Sequence, residues 1–147
     1  MRLYLSILIL IFVWGCNQSS IKNSTNIISV ESFFSKPQQT EFKLSPNGKY
    51  ISYLKPYKNK LNIFIKDIDK NEEKLITSVA DRDIELYFWK GNDNIIYVQD
   101  YKGDQNYHIY NVNINTNKTI DLTPFKNIRA YVIDFLRGEP DKIIVQM

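Results

Sequence analysis

Cysteine and histidine each occur once in the 147 residues, as Cys16 and His108, so any chemistry that needs a thiol or an imidazole has to use these two. Serine-type acyl transfer requires a nucleophile, a base and an orienting acid in mutual reach. None of the five glycines (15, 48, 91, 103 and 138) begins a G-x-S-x-G nucleophile elbow. His108 lies inside the apolar run "NYHIYNVNI", where a histidine of the core or of a sheet surface is expected rather than a catalytic base. Asp67-Ile68-Asp69-Lys70-Asn71 starts like a calcium loop, but its sixth and twelfth positions are Glu72 and Ser78, where glycine and glutamate are needed. A polar turn between strands is the expectation there. Glu72-Glu73 has the charge to grip an amine and equally suits a solvated turn; Asp81-Arg82-Asp83 and the stretch Asp100 to Asn106 read as loops or surface contacts. No catalytic, cofactor-binding or metal-binding residue is assigned.

Cys16 has a more specific setting. Arg2 precedes an almost wholly apolar run from Leu3 to Trp14, too short for the roughly 20 residues of a bilayer span but suited to the hydrophobic region of a secretory signal. The run ends in "VWGCNQSS", a bacterial lipoprotein-like junction in which a small residue, Gly15, precedes a cysteine that becomes the acylated N-terminus. Val13 fits that pattern, whereas Trp14 is bulkier than usual. The alternative is a free cysteine in an ordinary signal, which would leave an unpaired thiol in an exported protein. The expectation is residues 1–15 as a signal, residues 16–29 as a flexible polar tether, and a lipid on Cys16 holding the protein to a membrane of the bacterial cell envelope, on its periplasmic or surface face.

The elements that would position any site repeat. Ile51-Ser52-Tyr53-Leu54 is answered by Ile95-Ile96-Tyr97-Val98 44 residues on, Ile63-Phe64 by Ile109-Tyr110 and Thr77 by Thr123, both 46 residues on. Asp141-Lys142-Ile143-Ile144-Val145 answers Asp93-Asn94-Ile95-Ile96-Tyr97 48 residues on. A period in the mid-forties, made of short apolar runs bounded by Gly, Asn and Asp, fits a four-stranded propeller blade, with an ordinary β meander as the simpler alternative. The predicted strands are 40–44, 49–55, 61–68 and 73–77, then 84–89, 95–100, 106–114 and 118–123, then 129–136 and 142–147. Ahead of them, residues 30–35 are expected to form a short helical turn packing Phe33 and Phe34, stopped by Pro37. Pro46-Asn47-Gly48 supplies turn chemistry, proline fixing φ and the other two tolerating positive φ. His108, Tyr110, Val112 and Ile114 should share one face of their strand and Ile109, Asn111 and Asn113 the other. Trp89 is expected in the core.

The fold class expected is therefore all-β: an incomplete β-propeller over residues 30–147, with two four-stranded blades and the start of a third. Propellers close with about 4–8 blades, and the last apolar run reaches Met147, so a longer parent protein is expected. A net charge of +3 from 19 basic and 16 acidic residues, spread along the chain, gives no basic stripe for nucleic acid.

From Ser32 to Met147 the chain resembles the opening blades of the N-terminal propeller of exported prolyl oligopeptidase family serine peptidases. The resemblance runs through "FFSKPQQTEFKLSPNGKYISYLKPYKNKLNIFIKDID", "DIELYFWKGNDNIIYVQDYKGDQNYHIYNVNI" and "LTPFKNIRAYVIDF"; the stretch "LSPNGKYISY" by itself is shared with TolB-type and other propellers. It implies a propeller that restricts access of peptide substrate to a C-terminal α/β-hydrolase domain bearing Ser, Asp and His. None of those three positions is in this chain, so no catalytic residue is carried over. The alternative is a non-catalytic TolB-type lipoprotein that binds protein or glycan through its blade loops.

The N-terminal reading has a direct test. Cells fed labelled fatty acid are expected to label the wild-type protein and not Cys16→Ser; equal labelling of the two would exclude acylation at this residue.

Overall fold

The computed structural model describes residues 28–147. The stretches expected to be a signal (1–15) and most of a tether (16–29), with Cys16, lie outside the described residues. The chain divides into two compact units, Met1–Ser35 and Lys36–Met147. Within the described part of the first, α1 (Val30–Phe34) is N-capped by Ser29, whose side chain accepts from the Ser32 amide. The helix forms as expected, but Phe33 and Phe34 are exposed rather than packed, and it buries no residue. Five residues make little more than one turn, too little to build an apolar stripe.

The second unit is all-β. Strands β1 (Thr40–Leu44), β2 (Tyr50–Tyr57), β3 (Lys60–Asp67) and β4 (Glu73–Leu75) form one antiparallel sheet in sequential order. Strands β5 (Tyr87–Lys90), β6 (Asn94–Gln99), β7 (His108–Asn113) and β8 (Thr119–Asp121) form a second in the same order. Strands β9 (Tyr131–Asp134) and β10 (Ile144–Gln146) pair as a hairpin that begins a third. These are two blades and the opening of another, an incomplete propeller. The first strand of the second blade starts at Tyr87, not at residue 84, because the Ile84 amide donates to the Leu61 carbonyl in the preceding blade at 3.0 Å.

Both faces of the second blade are apolar, and each meets a neighbour. Tyr87, Ile95, Tyr97, Val112 and Ile114 pack with Leu54, Ile63, Ile65 and Ile76 of the first blade. On the other face Ile96 and Ile109 pack with Ala130, flanked by Val98, Val132 and Phe135. The faces of β7 divide as its alternation requires, with Tyr110 and Val112 toward the first blade and Ile109 away from it. At 25 cal/mol per Å2 of apolar surface, burying one such Ile or Leu contributes about 1.5–3 kcal/mol. Ser52 sits wholly buried at the blade boundary: it accepts from the Trp89 indole N–H at 2.8 Å and donates to the Lys43 carbonyl at 3.1 Å. The Tyr87 hydroxyl lies 3.0 Å from Ser52 Oγ and 2.5 Å from the Glu41 carbonyl and donates to one of them at a time. Burial pushes the Tyr87 hydroxyl up to about 12, so it stays a donor through the neutral range. Trp89 is half-buried at the margin of this core, its indole fixed by Ser52.

The repeat extends to single hydrogen bonds. Thr77 Oγ1 accepts from the Ile63 amide at 2.9 Å, and Thr123 Oγ1 from the Ile109 amide at 3.0 Å. The β3–β4 turn closes through Asn71 N to the Asp67 carbonyl at 2.9 Å, and the β7–β8 turn through Asn117 N to the Asn113 carbonyl at 2.8 Å. Asn71 and Asn117 have φ of 60° and 55°, the left-handed region that asparagine tolerates better than most residues. Each turn starts with an Asp or Asn whose Oδ1 accepts two amides: Asp67 from residues 69 and 70, Asn113 from residues 115 and 116. This is a turn, as expected of Asp67 to Asn71, and the described residues hold no group of three or more His, Cys, Asp or Glu arranged for a metal.

Removing these threonine acceptors should therefore cost stability with little change of shape. Thr77→Val and Thr123→Val each leave a buried amide unpaired and are expected to lower unfolding free energy by about 1–3 kcal/mol in urea titrations, with Thr→Ser at either position recovering most of the loss. Equal stability of the Val and Ser variants would show that the hydroxyls are dispensable.

Candidate functional site

The loops that read as turns meet beside the second blade, at its junctions with the first blade and with the third hairpin. Asp83, just before β5, takes the Leu61 amide on Oδ1 at 2.7 Å and the Lys36 ammonium on both oxygens at 2.6 and 2.8 Å. Burial pushes the Asp83 carboxyl up, but Lys36 and the Leu61 amide outweigh it and hold the group below the usual carboxylate range. Beside it, Arg82 points Nε at Asp100 Oδ1 at 3.3 Å, and the Arg82 carbonyl accepts from the Gln99 side-chain amide at 3.0 Å. The Asp100 side chain is only 3% exposed, and its second oxygen accepts from the Gln105 amide at 3.1 Å. Gly103 adopts φ of 85°, and a Cβ there would stand 3.2 Å from Arg82 Nη1, so the loop needs glycine at that position. Arg82 thus ties the 81–83 loop to the 100–106 loop, a link that sequence spacing alone did not reveal.

The next blade junction repeats the backbone and changes the side chain. Ala130 N donates to the Tyr107 carbonyl at 2.8 Å, as Ile84 N does to Leu61, 46 residues earlier. Arg129 takes the place of Asp83. Its guanidinium lies 5.1 Å from the Tyr107 ring centroid and 5.5 Å from that of Tyr131. Arg82, Arg129, Glu85 and Tyr107 border a cleft of about 340 Å3 whose apolar wall is Phe88, Val98, Val132 and Phe135. Phe88 and Phe135 meet with ring centroids 4.5 Å apart, and the Lys90 ammonium donates to the Phe135 carbonyl, which ties β5 to the chain just after β9. Apolar walls with a few convergent polar groups are the usual make-up of a small-molecule site.

The other candidates are structural. His108 Nδ1 lies 2.7 Å from Asp121 Oδ2, and its ring stacks over Tyr110 at 6.3 Å. That is the base and orienter half of a triad with no serine hydrogen-bonded to it among the described residues, so the pair ties β7 to β8. Glu73 belongs to β4 and is no free turn carboxylate: Lys55 reaches both its oxygens, at 3.0 and 2.8 Å, and the Tyr53 hydroxyl donates to it. Lys55 and Tyr53 hold the Glu73 carboxyl below its usual range, while burial and this carboxylate push the Tyr53 hydroxyl well up. The described residues thus present a cleft and no assembled nucleophile. No described helix is long and apolar enough to cross a membrane.

Comparison with known proteins places these blades. No family model matches the chain. It is 32% identical over 125 residues, 84% of its length, to dipeptidyl aminopeptidase BIII of Pseudoxanthomonas mexicana, and spans 18% of that protein. It is 32% identical over 115 residues to dipeptidyl peptidase family member 6 of Caenorhabditis elegans, covering 77% of this chain and 15% of that one. The chain is homologous to these peptidases and spans less than a fifth of their length. Among solved structures it is similar to TolB from Acinetobacter baumannii, with a TM-score of 0.50, 17% identity, and coverage of 64% of this chain and 23% of that one. It is also similar to a conserved lipoprotein from Clostridium novyi NT, with a TM-score of 0.50, 16% identity, and coverage of 76% and 86% of the two chains. These two likenesses concern the fold, a TolB-like propeller.

The Asp83 anchor carries a pH-dependent prediction. A carboxyl whose folded pKa is depressed contributes stability that is complete above its unfolded pKa and lost as pH falls through the folded value. Asp83→Asn is expected to lower unfolding free energy by about 1–2 kcal/mol at pH 7, a charged hydrogen bond discounted for partial exposure. The deficit should shrink below pH 4, where the wild type loses the same interaction; a deficit that stays constant from pH 7 to pH 3 would exclude the charge as its source.

Proposed function

We propose that this chain is the leading part of the propeller of an exported, lipid-anchored serine peptidase of the prolyl oligopeptidase family. In the parent protein these blades restrict which peptides reach a catalytic domain encoded further along. The observation that carries the reading is the 32% identity over 125 residues to a dipeptidyl aminopeptidase, most of this chain against a small part of that enzyme. The architecture agrees with a binding and access role. Blade loops converge on a cleft, the His108–Asp121 and Lys55–Glu73 pairs are structural, and the sequence contains neither a nucleophile elbow nor a second histidine. Acylation at Cys16 would place the enzyme at a membrane surface, with the residues that follow as its tether.

The division of labour can be tested with a fluorophosphonate probe. The 147-residue chain is expected to remain unlabelled and to hydrolyse neither peptides nor esters. The product of the complete reading frame should be labelled at a G-x-S-x-G serine and release short peptides or dipeptides. Labelling of the short chain would refute the assignment of catalysis to another domain. A complete product made only of further blades, and unlabelled, would replace the peptidase reading with that of a binding propeller.

A further inference from the structure

Lys90 is buried, 8% exposed, and no ion pair engages it among the described residues. Its ammonium donates to the Phe135 carbonyl, with the Leu136 carbonyl 3.4 Å away. Two neutral acceptors serve two of the three N–H donors and leave the positive charge unbalanced. A buried charge without a counter-ion is costly, and a neutral donor could tie the same segments at lower cost. The repeat isolates this choice. Leu44 pairs with Ile51 as Trp89 pairs with Ile95, so Lys90 stands where the first blade has Ser45. Ser45 spends its hydroxyl on its own turn, donating to Asn47 Oδ1 at 2.8 Å and accepting from the Tyr50 amide at 2.9 Å.

Lys90 borders a cavity of about 490 Å3 lined by Trp89 and by residues of the β1–β2, β5–β6 and β9–β10 turns, Pro46 and Pro140 among them. The β9–β10 turn is held in place: the Leu136 amide donates to Asp134 Oδ1 at 2.6 Å and the Glu139 amide to the Leu136 carbonyl at 3.0 Å. Arg137 adds a second positive charge at the border and has no ion pair among the described residues. Glu139, the one carboxylate among the bordering residues, is paired with Lys142 at 3.0 Å. We infer that this cavity binds an organic monocarboxylate with a flat apolar body. A carboxylate oxygen takes the remaining N–H of Lys90, and the body lies against Trp89 and the two prolines. Phosphate would bring more oxygens than one ammonium and apolar walls can serve. A zwitterion would bring an ammonium that finds two cations and no free carboxylate. The inference stands on this geometry and makes no use of the peptidase reading.

Calorimetric titration of the whole 147-residue chain in mild detergent tests it with four probes: 3-phenylpropanoate, its amide, phenylalanine and inorganic phosphate. The carboxylate should bind saturably, and the amide about tenfold more weakly or worse, the loss of one charged contact. Phenylalanine, the same skeleton with an added ammonium, should be weakened at least as much, and phosphate should not bind. Lys90→Met should bring the carboxylate to the affinity of its amide. Because Lys90 is buried and that variant can fail to fold, Arg137→Glu provides a second test at an exposed position. Arg137→Glu should weaken the carboxylate about tenfold and leave the amide unchanged, with near-ultraviolet circular dichroism confirming the fold. Equal binding of acid and amide to the wild type, binding of phenylalanine or phosphate as tight as that of the carboxylate, no saturable binding of the carboxylate, or carboxylate binding untouched by Arg137→Glu would each overturn the inference. None of these readouts depends on whether the parent protein hydrolyses peptides.

Discussion

A sheet with two apolar faces cannot stand alone in water, and everything in this chain follows from how that demand is met. The second blade buries Tyr97, Val112 and Ile114 on one face and Ile96 and Ile109 on the other. Only neighbours on both sides can cover such a sheet, and the chain supplies them in order, the first blade before it and the hairpin of the third after it. Consecutive apolar residues such as Ile95-Ile96-Tyr97-Val98 then make sense, since alternation of polar and apolar positions marks a sheet with one wet face.

Stacking blades in this way leaves the polar backbone at their ends to be satisfied locally. The threonines at 77 and 123, the Asx-type turns at Asp67 and Asn113, and the amides of Ile84 and Ala130 that reach back to the preceding blade all serve that need. Because the backbone solution is the same at each junction, the side chains there are free to differ. Asp83 became a tie between strands; Arg129, at the corresponding place, became the rim of a cleft. A change of surface chemistry thereby arises on a repeating scaffold by altering one position of the repeat and leaving its hydrogen bonds intact.

The ten strands expected from the apolar runs are all present, with their ends shifted by up to three residues. The largest shift is at Tyr87, and it has a cause outside the strand itself: Ile84 is already bonded to Leu61 in the other sheet. The site was much less legible. Asp81 to Asp83 and Asp100 to Asn106 each look like ordinary polar loops, and only the turn of the chain between β5 and β7 sets Arg82 on Asp100. The substitution of Arg129 for Asp83 at a repeat distance of 46 residues was the one signal in the sequence that could have marked the junction. Glu73 likewise looked solvent-bound because its partners, Lys55 and Tyr53, lie two strands away.

Sequence by itself determined the elements and their order. Apolar runs, turn residues and a period in the mid-forties depend on local geometry, which repeats along the chain and can be read one segment at a time. The quality that only the tertiary structure decided was which charges remain unpaired. Lys36 and Asp83 are 47 residues apart and Arg82 and Asp100 are 18 apart, yet they neutralise each other, while Arg129 and Glu85 do not meet a partner among the described residues. Pairing is a matter of a few ångströms set by how blades pack, and that information is spread over the whole core instead of residing in the residues that carry the charge.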